Sequence, residues 1–125
     1  MITYIEDNPN NQRLMQRILS KRGYEVQVFD TAEAGFEAIR ALQPRLIFTD
    51  LHLKTRATGM DLVRWVREAG IETPIIIVTV FNMIADRKRA LAAGCDGYLS
   101  KPYSSSDLYQ VLDTFYPNPK AVIQH

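Results

Sequence analysis

The run Pro74 to Val80, "PIIIVTV", sets apolar and β-branched residues side by side with almost no polar alternation. A strand with one face in water alternates polar and apolar side chains, whereas one that is apolar throughout must be covered on both faces. Helices packed on either side of a parallel sheet are the usual way to supply that cover. This segment therefore points to the middle of an α/β layered structure.

The rest of the chain alternates in the manner such a structure needs. "ITYIE" (2–6), "YEVQVF" (24–29), "RLIFT" (45–49) and "GYLS" (97–100) are further strand candidates. Helical periodicities separate them. In "NPNNQRLMQRILSKRG", Asn8 is the N-cap, Pro9 takes the first helical position and Gly23 is the stop, with Leu14, Met15, Ile18 and Leu19 as the apolar stripe. "DTAEAGFEAIRALQP" opens with Asp30 and Glu33 at capping-box spacing and carries Phe36, Ile39 and Leu42 on one face. "GMDLVRWVREAG" (59–70), the weakly amphipathic "NMIADRKRALAAG" (82–94) and the serine-capped "SSSDLYQVLDTFYP" (104–117) complete the set. Five strands alternating with five helices, joined by right-handed crossovers, predict a doubly wound parallel α/β fold. The expectation is one domain over residues 1–117 and a short tail, 118–125, with no output domain.

Charge and cysteine usage narrow the function. Fifteen Lys and Arg against fourteen Asp and Glu leave a net charge of +1, without the basic footprint of a direct nucleic-acid binder. Cys95 stands alone, so neither an intrachain disulfide nor a cysteine metal cluster is available, and a reducing, cytoplasmic setting is expected. No apolar run is long enough to span a bilayer, so no membrane insertion is expected.

Ligands of open parallel sheets bind beyond the carboxyl ends of the strands. Those ends carry Glu6-Asp7 after the first strand, Asp50 after the third, Thr79 at the end of the fourth and Lys101 after the fifth. Each has an ordinary structural reading: acids after strands cap helices, Thr79 is β-branched, and Lys101 can be a solvated loop charge. Asp50 resists that reading, because the next helix starts only near Gly59. Three carboxylates at one rim repel one another unless cations join them. A small divalent ion with oxygen ligands suits such a cluster, and Lys101 can offset the remaining charge and clamp phosphoryl oxygens.

Taken together, "YIEDN", "TDLHL", "IVTVF" and "GYLSKP" resemble the receiver domain of two-component response regulators, over essentially the whole chain. "GCDGYLSKPYS" is similar to single-domain receivers and to those of hybrid kinases. The resemblance implies a flavodoxin-like fold with strand order 2-1-3-4-5. It implies Asp50 as phosphoacceptor, and Mg²⁺ held by Asp7, Asp50 and the His52 backbone carbonyl, with Glu6 acting through water. Lys101 would bridge Asp50 and its phosphoryl group, Thr79 would hydrogen-bond a phosphoryl oxygen, and Tyr98 would be the aromatic switch. The implied partners are a histidine kinase or histidine phosphotransfer protein and a downstream protein target, and a homodimer is compatible. The protein would not be an enzyme beyond slow phosphorylation and dephosphorylation of itself.

Three positions depart from the family pattern. Lys54 stands where a proline is usual, Gly59 comes one residue late, and Val80 replaces a small residue after the switch threonine. Val80 and the following Phe81 are expected to restrict access to the phosphoryl site. Other readings are less well supported. A haloacid-dehalogenase-type phosphatase would need a second acid in "DLH", and an FMN binder would need a phosphate loop where "EDNPNN" presents acids. A receiver-like module that is never phosphorylated would not need the intact set of Glu6, Asp7, Asp50, Thr79 and Lys101.

Overall fold

A computed structural model describes residues 1–54, 56–80 and 84–117, with backbone only for residues 84–86. Every apolar run forms a strand: β1 (Ile2–Ile5), β2 (Val26–Phe29), β3 (Leu46–Thr49), β4 (Ile75–Thr79) and β5 (Gly97–Ser100). The helices are α1 (Pro9–Lys21), α2 (Ala32–Leu42), α3 (Gly59–Glu68), α4 (Ile84–Ala93) and α5 (Ser105–Phe115). All strand pairs are parallel, in the order β2-β1-β3-β4-β5. All five residues of β4 are buried, as its unbroken apolar run requires.

Two apolar layers flank the sheet. Ile5, Ile47, Ile75 and Ile77 pack on Ile39 of α2, on Leu62, Val63 and Val66 of α3, and on Ala90 of α4. On the other face Ile2, Tyr4, Phe48, Ile76 and Val78 meet Met15, Ile18 and Leu19 of α1 and Leu108 and Leu112 of α5. Burial of this kind contributes about 25 cal/mol per Å² of apolar surface and is what drives the helices onto the sheet.

Most helix starts follow the sequence. Asn8 caps α1 by accepting from the Asn10 and Asn11 amides, and Pro9 follows it. Thr58 with Asp61 and Ser104 with Asp107 form reciprocal capping boxes on α3 and α5. The second helix differs: its cap is Thr31, whose side chain accepts from the Ala34 amide, and not Asp30. The reason lies in the sheet. Pairing of β2 runs through Phe29, whose carbonyl accepts from Glu6, and the chain is still extended at Thr31 (φ −131°, ψ 154°). Leu14, assigned to the α1 stripe, is 40% exposed, because Met15, Ile18 and Leu19 already fill that contact.

Candidate functional site

Register brings the acids together. Ile5 of β1 lies level with Thr49 of β3, so the next residues, Glu6 and Asp50, leave the sheet side by side. The Asp50 amide donates to the Ile5 carbonyl at 2.9 Å, which fixes that alignment. Behind Asp50 the α3 terminus approaches so closely that a Cβ on Gly59 would lie 1.9 Å from the Asp50 carbonyl oxygen. Only glycine permits this contact, which holds the loop between β3 and α3 against its own strand.

Lys101 arrives from the far side of β4. Its amide donates to the Thr79 carbonyl at 2.9 Å, keeping the end of β5 beside that of β4. Its ammonium donates to Asp50 Oδ2 at 2.8 Å and to Glu6 Oε1 at 2.5 Å. Burial alone would lower the lysine pKa, but hydrogen bonds and charge from Asp50 and Glu6 outweigh it and raise the value. One ammonium thus bridges two carboxylates, and Asp50 also accepts from the His52 amide at 3.1 Å.

The other predicted residues separate into groups. Glu6 is 1% exposed and fully engaged: besides Lys101 it accepts from the Tyr4 hydroxyl and the Asp7 and Asn8 amides. Asp7 is half-buried and reaches across to the β3–α3 loop, where it accepts from the Lys54 amide at 2.6 Å. The departure from proline at position 54 is therefore used, since proline has no amide hydrogen to give. Thr79 is buried, and its hydroxyl has no hydrogen-bond partner among the described residues. The His52 side chain is exposed. Val80 is 64% exposed at the rim, while Phe81 lies outside the described residues. Tyr98 is partly buried on β5, with the Arg87 guanidinium 4.0 Å from its ring centroid.

Two of these partners escaped the sequence reading. Arg87, on the weakly amphipathic fourth helix, stacks on Tyr98. Tyr4 was counted only as a strand residue. Its signal was its position two residues before Glu6, since a buried tyrosine hydroxyl needs a hydrogen-bond partner.

Among the described residues, no three carboxylate, imidazole or thiol side chains converge as a preformed metal cage. Mg²⁺ does not require one, because it binds through one or two carboxylates and keeps several waters. Three acids against one ammonium leave the rim with surplus negative charge, and the available donors are hard oxygens. The set formed by Asp7, Asp50 and the His52 carbonyl suits Mg²⁺, with Glu6 committed to Lys101 and the backbone.

A doubly wound parallel sheet with a lysine-bridged acid cluster beyond its strand ends is a flavodoxin-like α/β architecture with its polar site at the switch point. Comparison with known proteins makes the class specific. The profile of the response regulator receiver domain matches residues 2–113, and the chain belongs to that family, the receivers of two-component signalling. It is 33% identical to the transcriptional regulatory protein DltR of Streptococcus agalactiae over 83% of this chain and 46% of that protein, so it spans about half of that relative's length. It is 28% identical to the polar-differentiation response regulator DivK of Brucella ovis, covering 91% of this chain and 94% of that one. The receiver domain of sensor histidine kinase PA1611 from Pseudomonas aeruginosa, solved with magnesium in its active-site cleft, superposes with a TM-score of 0.82 at 29% identity, covering 91% and 94% of the two chains. No helix among the described residues is long and apolar enough to cross a membrane.

Proposed function

We propose that this receiver is phosphorylated on Asp50 by a histidine kinase or a histidine phosphotransfer protein, with Mg²⁺, and that the modification alters a protein-binding face. The observation that carries the reading is the Lys101 ammonium on Asp50 Oδ2 at 2.8 Å, together with a buried hydroxyl on Thr79, the residue whose carbonyl the Lys101 amide meets, that has no partner among the described residues. An unsatisfied buried hydroxyl costs stability unless a further ligand takes it up. A phosphoryl oxygen on Asp50 would do so.

In the proposed step an Asp50 carboxylate oxygen bonds to phosphorus as the bond from phosphorus to the donor imidazole nitrogen breaks. The imidazole nitrogen keeps the electron pair and takes up a proton from solvent. Such transfers depend on in-line positioning and on neutralising the phosphoryl oxygens. Lys101 supplies one fixed positive charge, and the His52 amide holds the second Asp50 oxygen, which orients the attacking one. Asp7, Asp50 and the His52 carbonyl would hold Mg²⁺, which when bound neutralises charge on the phosphoryl oxygens. Thr79 would donate to the new group, and the adjacent β5, with Tyr98, would carry the change to α4 through Arg87. The domain would be residues 1–117, acting in the cytoplasm on a protein target.

Incubation with acetyl phosphate and Mg²⁺, followed by intact mass measurement, tests the reading. One phosphoryl increment is expected on the wild type and none on Asp50→Asn. Equal uptake by both would refute the assignment.

A further inference from the structure

Glu6 is a buried carboxylate with four donors on two oxygens. Oε2 belongs to the backbone turn, accepting from Asp7 and Asn8 at 3.0 and 3.3 Å. Oε1 is shared by the Tyr4 hydroxyl at 3.0 Å and the Lys101 ammonium at 2.5 Å. Resting on the phosphoacceptor reading, we propose that Tyr4 is a positioning residue for phosphoryl transfer: its hydroxyl fixes Glu6 Oε1, and through it the reach of Lys101 to Asp50.

A lysine ammonium is a compact charge on a flexible stem, so the acceptors around it decide where it stands. Here those acceptors are Asp50 Oδ2 and Glu6 Oε1. During transfer, the bond from Asp50 to phosphorus forms as the donor's leaving group departs with its electron pair. Lys101 must then meet a phosphoryl oxygen without being drawn off by Glu6. A Glu6 side chain free to turn would take the ammonium with it.

Tyr4 is suited to prevent that turn. It is wholly buried in β1, and its ring packs edge-on to Phe48 at 6.5 Å, on the strand beside it. A packed ring has far less freedom than a glutamate. The phenol is an ordinary hydroxyl donor, and its oxygen lies 3.0 Å from Glu6 Oε1. It also keeps a hydrogen bond on Oε1 when Lys101 leans toward the phosphoryl group. The buried charge is then never left bare, a state that is strongly unfavourable. Tyr103 provides a contrast: its hydroxyl is also buried, yet it has no hydrogen-bond partner among the described residues.

The alternative is that Tyr4 only fills the core and satisfies its own hydroxyl. Phosphorylation rates with acetyl phosphate, taken across donor and Mg²⁺ titrations and read by intact mass, separate the two. Tyr4→Phe keeps the ring and should lower the maximal rate about three- to tenfold, the equivalent of one hydrogen bond. Half-saturating donor and Mg²⁺ concentrations should be unchanged, and Tyr103→Phe should match the wild type. In a Glu6→Gln background, Tyr4→Phe should cause no further loss, because the oxygen it positions has changed. A Tyr4→Phe rate equal to wild type, or an equal loss in both backgrounds, would overturn the positioning role alone. A wild type that takes up no phosphoryl group would overturn the phosphoacceptor reading and this role with it.

Discussion

Replacing Lys101 by methionine removes the ammonium while keeping an unbranched side chain of similar length, so the change isolates charge from packing. The lysine side chain is 13% exposed and its partners Glu6 and Asp50 are 1% and 11% exposed. Breaking a buried pair by deleting one partner costs about 3–5 kcal/mol, because the other charge is left uncompensated. Here the lower end applies, since Glu6 keeps the Tyr4 hydroxyl and two amides and Asp50 keeps the His52 amide. An unfolding entropy of about 2.1 cal/mol/K per residue amounts to ~0.26 kcal/mol/K for 125 residues. A loss of about 3 kcal/mol then lowers Tm by ~11 °C. Thermal and urea melts near neutral pH in EDTA, which keeps added cations out of the cluster, measure this directly. The partner variant Glu6→Gln sharpens the test. The double variant Lys101→Met/Glu6→Gln should be less destabilised than the two single losses combined, because no buried charge at position 6 is left to compensate. A Lys101→Met Tm within ~2 °C of wild type, or strictly additive losses, would refute the claim that this ammonium compensates buried acids.

Three further outcomes follow from other contacts. Thr31→Ala should destabilise by about 1 kcal/mol through loss of the α2 cap, while Asp30→Ala should change stability by less than about 0.5 kcal/mol in the same urea titration. Hydrogen bonds from Thr58, chiefly its backbone amide, hold the Asp61 carboxyl below its ordinary value. Its contribution is therefore present above that ordinary value and lost as pH falls through the lowered one, so the stability gap between wild type and Asp61→Asn should close in acid. Val80→Ala, at the rim beside Thr79, should speed phosphorylation by acetyl phosphate in a mass-based time course, and an unchanged rate would remove Val80 as an obstacle.

The fold was legible where local chemistry and burial agree. The β4 run could be covered only by helices on both faces, and Asn8-Pro9 can hardly be anything but a helix start. The α2 start was misread because Asp30 and Thr31 are both competent caps, and the spacing to Glu33 favours the wrong one. What decides between them is where β2 stops pairing with β1, which is a tertiary fact. The site divides in the same way. That Glu6, Asp7, Asp50, Thr79 and Lys101 stand at strand ends follows from the strands alone. That Glu6 pairs with Lys101 while Asp7 turns to the Lys54 amide depends on how the β1–α1 and β3–α3 loops cross. No spacing along the chain encodes that crossing.

The charge balance explains why a phosphoryl group at this place could act at a distance. Lys101 is bound to the ends of three strands at once: to β1 through Glu6, to β3 through Asp50, and to β4 through the Thr79 carbonyl. On the proposed reading, adding negative charge at Asp50 changes what the ammonium must compensate. Its stem and the Thr79 hydroxyl would respond together, since Lys101 directly follows β5 and Thr79 ends β4, in a pair where Thr79 is level with Ser100 and Ile77 with Tyr98. Tyr98 is only partly buried and is covered by Arg87 of α4, so the ring has somewhere to go and a partner to leave. The fully buried positions of β1 and β3 have no such freedom. On that reading a perturbation entering at Lys101 would exit toward β5 and α4, because Lys101 and Thr79 are joined on the β4–β5 side of the sheet and Tyr98 there is only partly buried.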